Sequence, residues 1–237
     1  MKKKLIIVLC SLVAAVTLVV VSVMGTVAYL TASAKVTNVF TVGNVFLSMY
    51  ESPVDADGVK QGSEKNSASN SYTLIPGKSY DKDPTIYVGS ETSSAYLFVL
   101  VRNDISSIEV QNDDTKPTMK AQMEKNGWKL FEYATPSTGT RAYVYHGLDT
   151  SGNVNANPME VGSVTNTFEV DIFEKFYIDS KADVAPYGGA GVTLTAIGIQ
   201  TDFEVSGGKT VIEAAWDAVV QTYPYIYDIE HGSGNNA

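Results

Sequence analysis

Seven consecutive residues, Ala95-Tyr96-Leu97-Phe98-Val99-Leu100-Val101, are apolar on both alternating parities. Successive side chains of a strand point to opposite sides, so this run reads as a central strand that must be covered on both faces. The remaining chain has to supply those covers. Phe40 to Tyr50 alternates, with Phe40 and Val42 on one parity and Val45, Leu47 and Met49 on the other. The switch at Gly43-Asn44 predicts a single strand carrying a bulge, because one extra residue reverses the faces.

Turn chemistry divides the rest. Residues 51–71 are mostly Ser, Asn, Gly, Asp and Lys, which predicts a surface loop or irregular hairpin. Tyr72-Thr73-Leu74-Ile75 runs into Pro76-Gly77, a tight-turn pair. A strand resumes from Tyr80 to Val88, where Pro84 lacks an N–H and places it at an edge or delays its start to Thr85. Pro117, Met119, Met123 and Gly127 fit a short helix. Trp128–Tyr133 and Arg141–His146 read as a hairpin, Thr167–Ile178 as a strand with a shift of face, and Gly191–Thr201 as the last clear strand. Thr210 and Glu213 form a capping-box pair ahead of a helix whose Ile212, Ala215, Trp216 and Val219 share one face. That face should lie against the sheets, with Trp216 as a packing anchor. Tyr223, Tyr225 and Tyr227 around Pro224 suggest a final strand before a polar tail at 230–237.

The N-terminus has a different logic. Met1-Lys2-Lys3-Lys4 precedes an apolar stretch from Leu5 to Val23, no charge follows until Lys35, and Gly25, Thr26, Ala28, Ala32, Ser33 and Ala34 are small. Positive, apolar, then small is the order of an export signal. The lysines hold the N-terminus inside. The alternative is an uncleaved anchor, since the apolar run approaches the roughly 20 residues that span a bilayer. Cys10 follows the bulky Leu9 and reads as an ordinary apolar residue of the signal, not a lipid attachment point. We therefore expect a signal over 1–34, cut between 28 and 34, then a single extracellular domain over 35–237.

Of 17 Lys and Arg, three belong to the signal; the other 14 face 26 acidic residues, a formal charge of about −12. Nucleic acid is not an expected partner, because phosphate binding needs clustered basic side chains. No cysteine follows Cys10, so stability rests on a hydrophobic core rather than disulfides. A domain of this length buries roughly 70–75% of its surface, which is enough. Neither a C-terminal membrane tail nor LPxTG-type attachment is expected from these residues.

Catalytic patterns are missing as well. The two histidines are His146, expected at the surface end of a strand, and His231 in the polar tail. No HExxH, CxxC or GxSxG occurs. Asp55-Ala56-Asp57-Gly58 lacks the flanking ligands of a calcium loop, and Asp149-Thr150-Ser151-Gly152 occurs once; both read as turns. No catalytic residue, metal ligand or cofactor site is expected, and the chain is not read as an enzyme.

Gly25-Thr26-Val27-Ala28-Tyr29-Leu30-Thr31 followed by Val36-Thr37-Asn38-Val39-Phe40-Thr41-Val42-Gly43-Asn44-Val45 resembles the signal-to-first-strand junction of the TasA/camelysin family. Leu74-Ile75-Pro76-Gly77-Lys78 with the Ala95–Val101 run, and Ala196–Gln200 with Ala214–Val219, are similar to later parts of such proteins. The resemblance implies an all-β fold with minor helix: a jelly-roll-like antiparallel β-sandwich, one short C-terminal amphipathic helix, and a preceding signal-peptide helix. It also implies cutting by a SipW-like signal peptidase after Ala28 or Tyr29, whereas the Ala32-Ser33-Ala34 pattern favours Ala34. The expected role is a secreted surface or biofilm-matrix protein of Gram-positive bacteria, partnered by itself or by other matrix proteins. Membrane contact is expected only through an uncut signal. The competing reading is a monomeric adhesin or carbohydrate- or protein-binding module, which suits a chain of 14 tyrosines. For assembly, the segment from Leu30 to Val45 is expected to reach outward over Thr31–Asn38 and bury Phe40, Val42 and Val45 in a neighbour. Its alternative is to pair within its own sheet.

Overall fold

The computed structural model describes residues 31–134, 136, 139–162, 167–201, 205 and 207–223, with the backbone alone for 31–40 and 42. The apolar run is where its two-sided pattern requires it to be. β6 (Ala95–Asn103) pairs antiparallel with β12 (Gly191–Gln200) along one edge, and with β8 (Thr140–Tyr145) and β9 (Glu160–Val161) along the other. Outside β12 lies β1 (Thr31–Val42), then β3 (Ser69–Thr73); outside β8 lies β7 (Trp128–Leu130). The order β3-β1-β12-β6-β8-β7 is antiparallel except for β1 beside β12, which is parallel. A three-stranded antiparallel sheet holds β5 (Thr85–Val88) between β2 (Leu47–Tyr50) and β10 (Phe168–Asp171). β4 (Ser79–Asp81) and β11 (Lys175–Tyr177) form a separate pair. The helices are α1 (Met119–Lys125) and α2 (Val211–Thr222).

Alternation along β6 divides the core in two. Leu97, Val99 and Val101 join Val192 and Leu194 of β12 in packing with Met49, Ile86 and Val88 of the smaller sheet. Phe98 and Leu100 join Ile197 and Ile199 on the other side, where α2 covers them with Ile212, Ala215, Trp216 and Val219. The helical face expected from spacing is the buried one. Its start is also as expected: the Glu213 backbone N–H donates to Thr210 Oγ1 at 3.3 Å, and the Thr210 N–H donates to Glu213 Oε2 at 2.7 Å. Thr210→Ala removes one of these acceptors and should cost about 1 kcal/mol, measurable as a lower urea midpoint.

Several expectations are corrected. Phe40–Tyr50 is not one bulged strand: β1 ends at Val42 and β2 begins at Leu47, in different sheets. Gly43 makes the exit possible, because its φ of +84° suits glycine and a Cβ there would stand 2.4 Å from Gln200 Oε1. Tyr80–Val88 divides likewise into β4 and β5 around Lys82-Asp83-Pro84; of the two readings of Pro84 the delayed start at Thr85 is the one found, and β5 is central in its sheet. The face shift in Thr167–Ile178 marks another change of sheet, between β10 and β11. The polar segment from Glu51 is less superficial than its composition suggests, since Glu51 and Ser52 are buried. Asp55–Gly58 and Asp149–Gly152 are turns, each closed by a glycine N–H on an aspartate carbonyl, at 2.9 and 3.0 Å. The signal segment through Leu30, with Ala28 and Tyr29, and the tail from Pro224, with Tyr225 and Tyr227, lie outside the described residues.

Candidate functional site

Two places stand out, the slot occupied by the first strand and a buried charged cluster beneath the second. β1 is bordered twice. Over Thr31–Lys35 it pairs antiparallel with Thr73–Ser69 of β3, and from Ser33 to Val42 it pairs parallel with Gly191–Ile199 of β12, with a register shift between Val36 and Asn38. Ala32 stands opposite Tyr72 and Ala34 opposite Asn70, so both processing candidates belong to paired strand. Thr31–Asn38, expected to reach outward, is therefore incorporated in the chain's own sheet. Phe40 and Val42 stand opposite Ile197 and Ile199. Val45 lies outside β1, in the connector to β2, and its buried side chain occupies the space left by the missing Cβ of Gly198.

Further contacts lie at and just beyond the C-terminal end of β1. The Tyr223 hydroxyl donates to the Thr41 carbonyl at 2.7 Å, and the Asn44 N–H donates to Gln200 Oε1 at 3.0 Å. Withdrawal of β1 would bare the edge of β12 over Gly191–Ile199 and the inner edge of β3, two rows of unpaired backbone groups with an opening between them.

At the end of β2, Glu51 and Lys82 form an ion pair at 2.6 Å with both side chains fully buried. The main chain fixes each of them. Glu51 exchanges two backbone hydrogen bonds with Ser67, at 3.0 and 2.9 Å, and the Lys82 N–H donates to the Glu174 carbonyl at 2.9 Å. Burial raises the Glu51 carboxyl against the pull of Lys82, and burial lowers the Lys82 amine against the pull of Glu51. The next residues are paired too: the Ser52 N–H and hydroxyl donate to the two oxygens of Asp83 at 2.7 and 2.9 Å. Burial acts to raise Asp83 as well, but Lys60 at 2.6 Å and the Ser52 donors hold it below its ordinary value. Lys65 extends the cluster to Asp171 at 2.9 Å.

This cluster was missed in the sequence, although a signal was available. Glu51 continues the parity of Val45, Leu47 and Met49, and Lys82 that of Tyr80, Ile86 and Val88. Both charges sit at core-facing positions of alternating segments. Polar composition concealed them.

His146 is buried rather than at the surface; its Nδ1 lies 2.9 Å from the Asn155 carbonyl, and burial lowers its pKa. A cleft of about 350 Å³ beside α1 is bordered by Asn103, Glu109, Gln111, Arg141 and Tyr143. Glu109 is committed to the fold, accepting from the Met119 N–H and from Asn103 Nδ2, both at 2.9 Å. Among the described residues no group of three or more His, Cys, Asp or Glu is arranged to hold a metal, and no helix is long and apolar enough to cross a membrane. Compared with known proteins, the chain matches no family model, no curated protein and no solved structure.

Proposed function

We propose that this chain is an exported surface or matrix protein of the TasA/camelysin type, which self-associates when the first strand of one copy takes the β1 slot of another. The carrying observation is the position of β1: the strand that directly follows the proposed signal lies between β12 and β3 and pairs through its backbone with both. A neighbour's β1 could make the same hydrogen bonds in the same register, so exchange costs little pairing energy, and the Gly43–Phe46 connector would serve as the hinge. This amends the assembly expectation: the donated element is Thr31–Val42 including Phe40 and Val42, while Val45 stays with its own core. Deleting Leu30–Asn38 would then destabilise the domain.

The finer architecture belongs to the same proposal, a jelly-roll-like sandwich in which the larger sheet faces the smaller ones across the core around Leu97, Val99 and Val101. The proposal places signal-peptidase cutting after Ala28 or Tyr29, because a cut after Ala34 would remove most of the pairing with β3. The alternative, a monomeric binding module, draws on the cleft beside α1 with its exposed Gln111 and Arg141. Negative-stain microscopy of the secreted protein separates the two. Filaments of repeating subunits are expected, and a monodisperse monomer at every concentration would favour the binding module.

A further inference from the structure

The buried pair offers chemistry that neither export nor strand exchange uses. We propose that Lys82 Nζ and Glu51 Cδ condense into an intramolecular isopeptide bond, a covalent staple between the end of β2 and the segment joining β4 to β5. Three observations carry it. Nζ lies 2.6 Å from Oε2 with both side chains at zero exposure. Both main chains are held by backbone hydrogen bonds, which limits how far the reacting groups can separate. Glu51 Oε1, though buried, has no hydrogen-bond partner among the described residues, and an amide has one oxygen fewer to satisfy.

The step balances without a co-reactant. In a dry site a proton moves from the ammonium to the carboxylate, since burial disfavours both charged forms. The neutral amine then attacks Cδ of the neutral acid, the C–OH bond breaks, and the hydroxyl leaves with one amine hydrogen as water. Held groups of this kind react as if at effective concentrations of about 10⁵–10⁸ M, which offsets the ordinary preference for hydrolysis where water is excluded. A chain with no cysteine after Cys10 has no disulfide for this purpose. This bond would close a loop across the 31-residue separation of its two ends.

The test is the intact mass of the folded, full-length secreted chain, compared with the mass calculated from its own N-terminal residue, followed by peptide mapping. The expected result is a deficit of one water and a branched peptide joining the segments that contain Glu51 and Lys82. Lys82→Arg, which keeps the charge but cannot form the bond, should restore the calculated mass. Peptide mapping of the unmodified sequence decides the matter even if that variant does not fold. Linear peptides with an intact Lys82 amine and Glu51 carboxyl overturn the proposal. A water deficit that maps to Asp57-Gly58, where it would mean an aspartimide, also overturns it.

Discussion

Trp216→Ala should lower stability by about 3–5 kcal/mol, seen as a fall in the urea midpoint at unchanged m-value. The residue is 1% exposed, with ring centroids 5.4 Å from Phe98 and 5.9 Å from Phe131. Truncation leaves a cavity that a β-sheet floor cannot close, because Phe98 and Ile197 are held by strands paired on both sides. The effect should extend to the first strand. Tyr223 directly follows α2 and donates to the Thr41 carbonyl of β1, so loosening the helix releases a contact on the strand proposed to exchange. An unchanged midpoint would mean that α2 is not docked on the sheet.

Lys82→Met should have an effect of similar size, about 3–5 kcal/mol at neutral pH, because removing one partner leaves the other charge buried and unpaired. The direction is the same whether the pair is ionic or joined, since in both cases Glu51 loses its partner. The pH dependence identifies the cause. Burial already raises Glu51 above its ordinary 4.5, and the loss of Lys82 removes the charge that opposed this. A group whose folded pKa is raised favours the fold below its unfolded pKa, and that advantage is lost as pH rises through the folded value. The difference between variant and parent should therefore shrink as pH falls from 7 towards 4. Asp83 and Asp171, both held below their ordinary values, titrate in parent and variant alike and largely cancel. A difference independent of pH would assign the cost to lost packing instead.

What could be read from the sequence follows from where one residue pattern had one physical meaning. Ala95–Val101 could be satisfied only by burial on both faces, and α2 declared itself through Thr210, Glu213 and a single apolar stripe. Strand changes between sheets were harder. A parity switch at Gly43-Asn44 looks the same whether the chain bulges within one ladder or crosses to another, because local alternation carries no information about the partner strand. Pro84 left two readings open, an edge strand or a start delayed to Thr85, and the second is the one found: the proline stands just before β5 and so leaves that strand free to be central. The charged pair was hidden for another reason: charged residues are seldom fully buried unless paired, and pairing across the separation of Glu51 and Lys82 is visible only in three dimensions. The parallel placement of β1 beside β12 joins segments far apart in the chain. No local signal encodes such a contact.

The proposal of strand exchange rests on whether β1 and β3 in an assembled particle belong to the same copy. Ser33 and Ser71 are direct antiparallel partners, and Ser71 is exposed. Such partners have Cα atoms about 4.5–5.5 Å apart, within disulfide reach. Cysteines at both positions can therefore be oxidised after assembly, and the secreted protein run on a denaturing gel without reductant. Exchange predicts a ladder of covalently linked multimers from filaments, and an assembly-incompetent monomer when oxidation precedes assembly. Filaments that dissolve entirely into internally bridged monomers, or a pre-oxidised monomer that assembles as readily as the reduced one, would contradict it.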